Sequence, residues 1–300
     1  MNTPYFSIVI PTYNRGVELM SNVESILIQS FHNFEIIIVD DGSQDNTEQL
    51  ISQVGQTRIK YFKTENRERA HARNFGLKHA RGLYINYFDS DDIMYPDRLQ
   101  NVFNWIRNNH TPDVLFTHYD FVDIQGNIVG QTERFYESFT KDILFNNFLA
   151  CGSVFLKREI ATQYLFHEDR KIITAEDWEL WLRLHIHYEF LECPLKTFAI
   201  RQHGGRSLET ILAEKVKVRD LYFVKLIKQN SEFRLKYGNA TNLFVADRYT
   251  FIALTLAQNF SRLNSITYLI ASFFSSVQVI RRRRFWGVIK TLLWPRKKGY

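Results

Sequence analysis

Residues 86–99 read NYFDSDDIMYPDRL. Three aspartates, Asp89, Asp91 and Asp92, fall within four positions, directly after the apolar run LYINYF (83–88). One Asp beside Ser or Gly is an ordinary turn or helix-cap former, but a turn needs one such residue, not three. Clustered carboxylates without basic neighbours repel one another and are costly unless a cation neutralises them. Oxygen ligands with few soft donors nearby favour Mg2+ or Mn2+ over zinc. The spacing therefore points to a hard divalent cation at the end of a buried strand, shared with a phosphate-bearing ligand.

Working outward, the same strand type recurs. FSIVIPTY (6–13), FEIIIVDDGS (34–43), IKYFKTE (59–65) and LYINYFD (83–89) read as strands. Between them lie helical patterns. GVELMSNVESILIQS (16–30) places Val17, Met20, Val23, Ile26 and Leu27 at helical spacing. DNTEQLISQV (45–54) has Ser43 or Asp45 as its N-cap, and RAHARNFGLKHARG (69–82) stops at Gly82. YPDRLQNVFNWIRNN (95–109) follows the fourth strand. Four β-α units in a row predict a mostly parallel sheet covered by helices on both faces. DVLFTHYDFVD (113–123) and NIVGQ (127–131) read as strands about a turn at Gln125–Gly126, and residues 140–200 mix short helices and strands. Open α/β sheets bind ligands outside the carboxyl ends of their strands. Both acidic clusters, Asp40–Asp41 and Asp89–Asp92, fall at such ends.

The 300 residues are 45% hydrophobic and 23% charged, enough apolar material for a sizeable core. Cys151 and Cys193 supply neither a disulfide framework nor metal-ligand spacing; they read as core thiols in a reducing setting. The N-terminal MNTPYFSIVIPTYNR lacks the basic region and long apolar stretch of a signal peptide. No run reaches the roughly 18 apolar residues of a spanning helix. Ile266 to Ile280 is interrupted by Ser272, Ser275, Ser276 and Gln278. Charge divides the chain: residues 211–300 hold 17 Lys and Arg against 4 Asp and Glu, whereas 1–210 hold 21 against 28. The expected boundary lies at HGGRS (203–207), between a sheet domain over 1–208 and a basic helical region over 209–300.

SIVIPTYNR (7–15), FEIIIVDDGSQDNT (34–47), ARNFGLKHARGLYINYFDSDD (72–92), YPDRL (95–99) and AEDWELWLRL (175–184) occur in one order. In that order they resemble a family 2 glycosyltransferase of the GT-A fold, from Ser7 to about Leu184. The resemblance implies an α/β, mostly parallel, Rossmann-like sheet flanked by helices, with a C-terminal helical subdomain. Within 1–208, residues 1–100 are then the nucleotide-sugar half and 101–208 the acceptor and base half. It further implies a nucleotide-sugar donor, foremost a UDP-sugar, and an inverting reaction. By position it puts Pro11, Tyr13 and Asp41 around the nucleoside base. A Tyr13 ring suits packing on uracil, and Asp41 can accept from a base N–H.

Arg73 is a candidate diphosphate contact, since its fork of donors matches phosphate oxygens; the alternative is a solvated helix face. Asp91 and Asp92 fill the family's Asp-x-Asp position, Asp91 near ribose and metal, Asp92 as direct metal ligand and Asp89 as an outer member. Asp177 is implied to be the catalytic base, with Glu176 beside it. A carboxylate next to another carboxylate and two tryptophans, Trp178 and Trp181, is expected to have a raised pKa. The alternative for Asp177 is a helix N-cap. His203, on the glycine-bearing loop IRQHGGRS, is a candidate third metal ligand or phosphate contact. Arg201 and Arg206 are further phosphate candidates or solvated. The chain lacks a Gln-x-x-Arg-Trp motif and a cluster of spanning helices, which separates it from processive synthases. The resemblance therefore implies transfer of one or a few sugars to a glycan or lipid-linked acceptor. Family habit together with the basic tail implies a setting in bacterial surface polysaccharide or glycolipid synthesis. NFLACGSVFLKREI (147–160) resembles the segment that shapes the acceptor pocket.

Residues 245–280 read as two helices joined near SRLNS (261–265). RRRRFWGVIKTLLWPRKKGY (281–300) follows as a basic, aromatic, amphipathic element. It suits an anionic membrane surface and predicts a cytoplasmic protein in peripheral contact with the inner face of the cell membrane. The alternative is a helical subdomain packed on the sheet domain with a solvated basic end. A nucleic-acid partner is not expected, because no recognition fold accompanies the basic run. Nucleotidyl transfer needs a Gly- and Lys-rich phosphate loop that PTYNRGVE (11–18) does not supply, and a receiver-like phosphoacceptor domain carries neither DSDD nor AED. A degenerate sugar-nucleotide-binding or scaffold protein is opposed by intact acids at 41, 91, 92 and 177.

Overall fold

The structure is a computed structural model and describes residues 3–132, 138–202 and 213–294. It divides into two compact units. The first comprises Met1–Tyr136, Phe148–Glu168 and Glu176–Arg206, the second Glu137–Asn147, Asp169–Ala175 and Ser207–Tyr300.

The first unit runs β1 (Phe6–Thr12), α1 (Gly16–Leu27), β2 (Phe34–Asp40), α2 (Thr47–Ser52), β3 (Ile59–Lys63), α3 (Arg69–His79), β4 (Tyr84–Tyr87), β5 (Ile93–Met94), α4 (Arg98–Asn108), β6 (Val114–Val122) and β7 (Ile128–Gln131). After the second unit's α5 (Phe139–Phe145) it resumes with β8 (Val154–Lys157), α6 (Arg158–Ala161), α7 (Glu176–His187) and β9 (Phe190–Arg201). The strands form one sheet in the order β3-β2-β1-β4-β8-β6-β9-β5, with β7 on β6.

Every residue of β1 and β2 is buried, as continuous apolar strands covered on both faces should be. β1 pairs in parallel with β2, Phe6 opposite Phe34 through Thr12 opposite Asp40, and with β4 on its other side. One face packs Phe6, Ile8, Ile10, Ile36 and Ile38 against α1 and α4 through Leu19, Val23, Ile26, Leu99 and Val102. Over the other face, α3 approaches so closely that a β-carbon at Gly76 would lie 2.5 Å from Val9 Cγ1 and 3.2 Å from Val39 Cγ2. Only glycine permits that approach.

Two local expectations shift. The buried stripe of α1 is Gly16, Leu19, Asn22, Val23 and Ile26, and Val17 faces solvent; Asn22 is turned inward by its bonds to the acidic loop. The parallel order holds for β3-β2-β1-β4, but β8 enters antiparallel between β4 and β6. Asn86 of β4 fastens it, its Nδ2 donating to Gly152 O at 2.9 Å and Val154 O at 2.8 Å. β6 and β9 run parallel beyond it.

The second unit adds α8 (Ala213–Gln229), α9 (Ser231–Tyr237), α10 (Asn239–Gln258), α11 (Arg262–Ser275) and α12 (Arg283–Leu293). Two buried acids organise it. Asp220 pairs with Arg219 at 2.7 Å and Arg248 at 3.3 Å; Asp247 pairs with Arg248 and Arg284 at 2.6 Å and with Arg282 at 3.7 Å. Arg282 also lies 3.8 Å over the Phe145 ring of α5. Two of the four arginines at 281–284 thus fasten the last helix internally. Among the described residues no helix is long and apolar enough to cross a membrane.

Candidate active site

The carboxyl ends of β2, β1 and β4 lie side by side, and their loops are tied together. Past β1, the Asn14 amide donates to Ser43 Oγ at 2.8 Å, and Asn14 Oδ1 accepts from the Gln44 amide at 2.8 Å. Pro11 is buried within β1, and Tyr13 is exposed at its end. Asp40 is the turn former, accepting from the Ser43 amide at 2.7 Å and from the Tyr61 hydroxyl. Asp41 accepts from the backbone amides of Arg67 and Glu68, each at 2.8 Å, and so fixes the entry to α3. Asp45 accepts from the Thr47 amide at the start of α2 and from the Gly16 amide at the start of α1. Ser43 serves Asn14 instead of capping.

The acidic loop after β4 is held from α1. Asn22 Nδ2 donates to Asp89 O at 2.9 Å and to Asp92 O at 2.7 Å. Its carboxylates do have basic neighbours, contrary to what the local sequence suggests. Arg73 donates to Asp89 at 2.7 Å, Arg15 pairs with Asp91, and the charge of Arg98 acts on Asp92. Arg15 and Arg73 come from segments outside the acidic loop's own stretch; only Arg98 stands in the same stretch, six residues after Asp92. Arg98 is buried over the faces of Phe88, Phe155 and Phe198, at 5.1, 4.9 and 4.6 Å. Burial pulls its pKa down to about 9, with Asp92 opposing.

Arg73 departs from both sequence readings. It is 1% exposed, so it is not on a solvated face. Its terminal nitrogens go to Asp89 and to Glu176 Oε1, the latter at 3.0 Å, with the Phe166 ring 5.1 Å away. It does not reach outward as the expected phosphate fork. It ties the acidic loop to the start of α7, where Glu176 and Asp177 are the first two residues.

The pKa values of Asp89 and Asp177 are driven apart. Burial alone would raise Asp89, but Arg73 and Arg69 outweigh it and hold its pKa low. Asp177 is pushed up to about 7, first by burial of its carboxyl and then by the Glu176 charge; Arg73 and the Trp178 amide oppose. Asp177 Oδ1 accepts from that amide at 2.7 Å. Asp177 sits inside the helix's first turn rather than capping it. Glu176 Oε2 is buried without a hydrogen-bond partner among the described residues. Neighbouring acids whose environments separate their pKa values are the usual mark of acid–base work.

The structure therefore brings Asp89, Asp91, Asp92, Arg73, Glu176 and Asp177 into one connected group, with Tyr13 and Asp41 on the neighbouring strand ends. His203 and Arg206 lie outside the described residues. Sequence reasoning missed Arg15, Asn22 and Arg98. Arg15 stands in the quoted TYNR, far in sequence from Asp91, Arg98 stands in YPDRL six residues after Asp92, and Asn22 lies beside Val23 on the face that is in fact buried. As for a metal, the donor set is oxygen only, which suits a hard cation. Among the described residues no three His, Cys, Asp or Glu side chains converge to hold one. The oxygen donors of Asp91 and Asp92 are thus compatible in type with a hard cation, but the described residues do not form a complete site from protein alone.

Residues 7–165 match the family model described as Glycosyl transferase family 2. An uncharacterized glycosyltransferase of Rickettsia felis is 33% identical over 184 residues, 59% of this chain and 30% of the relative. The Escherichia coli UDP-Glc:alpha-D-GlcNAc-diphosphoundecaprenol beta-1,3-glucosyltransferase WfgD is 29% identical over 179 residues, 59% of this chain and 68% of that one. The solved structure of S. aureus TarS 1-349 in complex with UDP-GlcNAc shares the fold, with a TM-score of 0.61 at 16% identity. That match covers 98% of this chain and 92% of TarS 1-349. The sheet and helical region thus form a GT-A-type α/β fold. The chain spans 30% of the length of the first curated relatives it matches. On the matched family model, which covers more than half of its residues, the chain belongs to glycosyl transferase family 2.

Proposed function

We propose that the chain is an inverting glycosyltransferase moving a sugar from a nucleotide-sugar, foremost a UDP-sugar, to a hydroxyl of a glycan or lipid-linked acceptor. The observation that carries this is Asp177: a carboxyl whose pKa is raised to about 7, at the start of a helix and linked through Glu176 and Arg73 to the acidic loop. A base poised near the working pH transfers protons most effectively. The acceptor hydroxyl gives its proton to Asp177 while its oxygen bonds to the anomeric carbon from the face opposite the leaving group. The bond from that carbon to the phosphate oxygen breaks, its electron pair leaves with the nucleoside diphosphate, and the anomeric configuration inverts. Glu176 Oε2 accepts a second hydroxyl of the acceptor and orients it.

Tyr13, Pro11 and Asp41 receive the base, and Asp91 the ribose. Arg15, half-buried beside Asp91, takes the phosphate role first assigned to Arg73. Asp92 and Asp91, with His203 a third candidate, would hold a Mn2+ or Mg2+ ion, which would supply positive charge to offset that of the leaving diphosphate. A UDP donor is supported by the names of two similar proteins, WfgD with UDP-Glc and TarS with UDP-GlcNAc. A lipid-linked acceptor is supported by the diphosphoundecaprenol in the first of those names and by the basic helical region. The setting proposed is bacterial surface polysaccharide or glycolipid synthesis, with the chain peripheral at an anionic membrane surface.

The test is a panel of UDP-, GDP- and dTDP-sugars with Mn2+ or Mg2+, read by nucleotide release and thermal shift. Release from one donor, sensitive to Asp177→Asn, is the expected result. Binding without release favours a non-catalytic sugar-nucleotide-binding protein, and no response to any donor overturns the reading.

A further inference from the structure

Helix α11 is packed with its small side chains inward. Ser265 and Ser272 are fully buried, and Ser265 Oγ donates to Ala253 O of α10 at 2.8 Å. Ala253 and Ala257 of α10 are buried too, and small residues on both helices allow a close approach. Leu269 packs inward against the cluster of Ala246, Val279 and Phe285, but four other large side chains point away. Leu263 and Phe274 are each 82% exposed and Ile270 is 52% exposed, with Ile266 also exposed. Positions 263, 266, 270 and 274 recur every three or four residues, so they form one stripe. A helix whose outer face meets only water carries polar residues there.

Charge identifies what covers the stripe. From 233 to 300 the sequence holds one acidic residue, Asp247. That residue is buried and paired with Arg248, Arg282 and Arg284. Arg262, Arg281, Arg283 and Lys290 are exposed, so the outward charge of α11 and α12 is positive only. A second copy of the chain would bring like charges together. An anionic bilayer attracts the cations and takes the Leu, Ile and Phe side chains into the acyl boundary. α11 and α12 are also short, and no described helix spans a membrane, which suits an element lying in the interface.

We infer that the exposed stripe of α11 is a docking surface for an anionic phospholipid bilayer, with the exposed arginines and lysine of α11 and α12 on the headgroups. This rests on the membrane setting proposed above, but it assigns the contact to α11 rather than to the arginine run, half of which is spent on Asp247.

The test is flotation of the full chain with phosphatidylcholine vesicles, with and without phosphatidylglycerol. The wild type floats with the anionic vesicles and dissociates as salt rises. Ile270→Asp/Phe274→Asp lowers the vesicle partition by about tenfold or more with an unchanged thermal midpoint. Leu235→Asp, an exposed apolar site on α9, leaves it unaltered. If the first pair lowers the midpoint, Leu263→Gln/Ile266→Gln serves in its place. If the α11 variants float like wild type while Arg281→Gln/Arg283→Gln does not, the α11 assignment falls and the membrane setting stands. If the wild type floats with neither vesicle, both fall. If the α11 variants instead convert a dimer to a monomer in light scattering without altering flotation, a second copy covers the stripe and the inference is overturned. Nucleotide release with a water-soluble acceptor reports separately on the transfer chemistry.

Discussion

The guanidinium of Arg73 donates to Glu176 Oε1 at 3.0 Å across 103 residues of sequence. The same group holds Asp89 at 2.7 Å, so one buried cation joins the acidic loop to the helix that presents Asp177. Arg73 also restrains the Asp177 pKa against burial and the Glu176 charge. Arg73→Gln leaves two carboxylates without their cation and costs about 3–5 kcal/mol of stability. The acid limb of kcat/KM moves to higher pH, because the restraining charge is gone. Arg73→Lys keeps the charge but loses the fork; its limb stays nearer the wild type while its denaturation midpoint falls. Denaturant unfolding and a pH–rate profile measure both.

The wild-type kcat/KM rises with pH through an apparent pKa of about 7, the Asp177 value, and not through the ordinary carboxylate range. Asp177→Asn removes the limb and lowers kcat by roughly 10²–10⁴, with UDP affinity retained in a calorimetric titration. Stability carries the opposite sign. A carboxyl with a raised folded pKa contributes fully below its unfolded value, about 4, and loses that contribution as pH climbs to about 7. At pH 8 Asp177→Asn therefore melts above the wild type.

Arg15 and Asp91 form a partly exposed pair, and such pairs contribute about 1 kcal/mol or less. Arg15→Gln leaves the melting midpoint nearly unchanged and raises the KM for the donor. A large loss of stability with donor KM unaltered would assign the pair to the scaffold alone.

Asn22 bonds two carbonyls of the acidic loop from inside the protein. Asn22→Ala strands buried acceptors and costs about 1–3 kcal/mol. It also weakens donor binding, although Asn22 touches no reactant, because the loop carrying Asp91 and Asp92 loses its anchor. Urea unfolding and UDP titration separate the two effects.

With only oxygen donors and no three-residue ligand group among the described residues, the cation is expected to bind together with the diphosphate. UDP then raises the melting midpoint strongly with Mn2+ or Mg2+ and weakly in EDTA, whereas either ion alone does little. A full shift in EDTA would remove the metal from the site.

The strands of this fold were readable because β1, β2 and β4 are covered on both faces, which leaves an unbroken apolar signature. The acids were readable because they punctuate those strands. Arg73 was not: RAHARNFG looks like a solvated helix, and its partners stand 16 and 103 residues away. Distance likewise hid Arg15, 76 residues from Asp91, whereas Arg98 stands only six residues from Asp92 and was missed because nothing in YPDRL shows that its side chain turns inward. The antiparallel entry of β8 depends on the Asn86 side chain reaching Gly152 and Val154, a tertiary bond that periodicity does not encode. The joining of 137–147 and 169–175 with the helical unit is equally nonlocal, and neither stretch has a composition that marks it.

Gly76 makes the height of a helix part of the chemistry. One added carbon there would meet Val9 at 2.5 Å, about an ångström inside the usual carbon–carbon contact distance. To relieve it, either the Val9 side chain or α3 itself must shift, and α3 carries Arg73. A 3.0 Å bond to Glu176 has no such slack. The smallest residue in the helix, three positions from the arginine and far from any reacting atom in sequence, acts as the spacer that sets how far that arginine reaches.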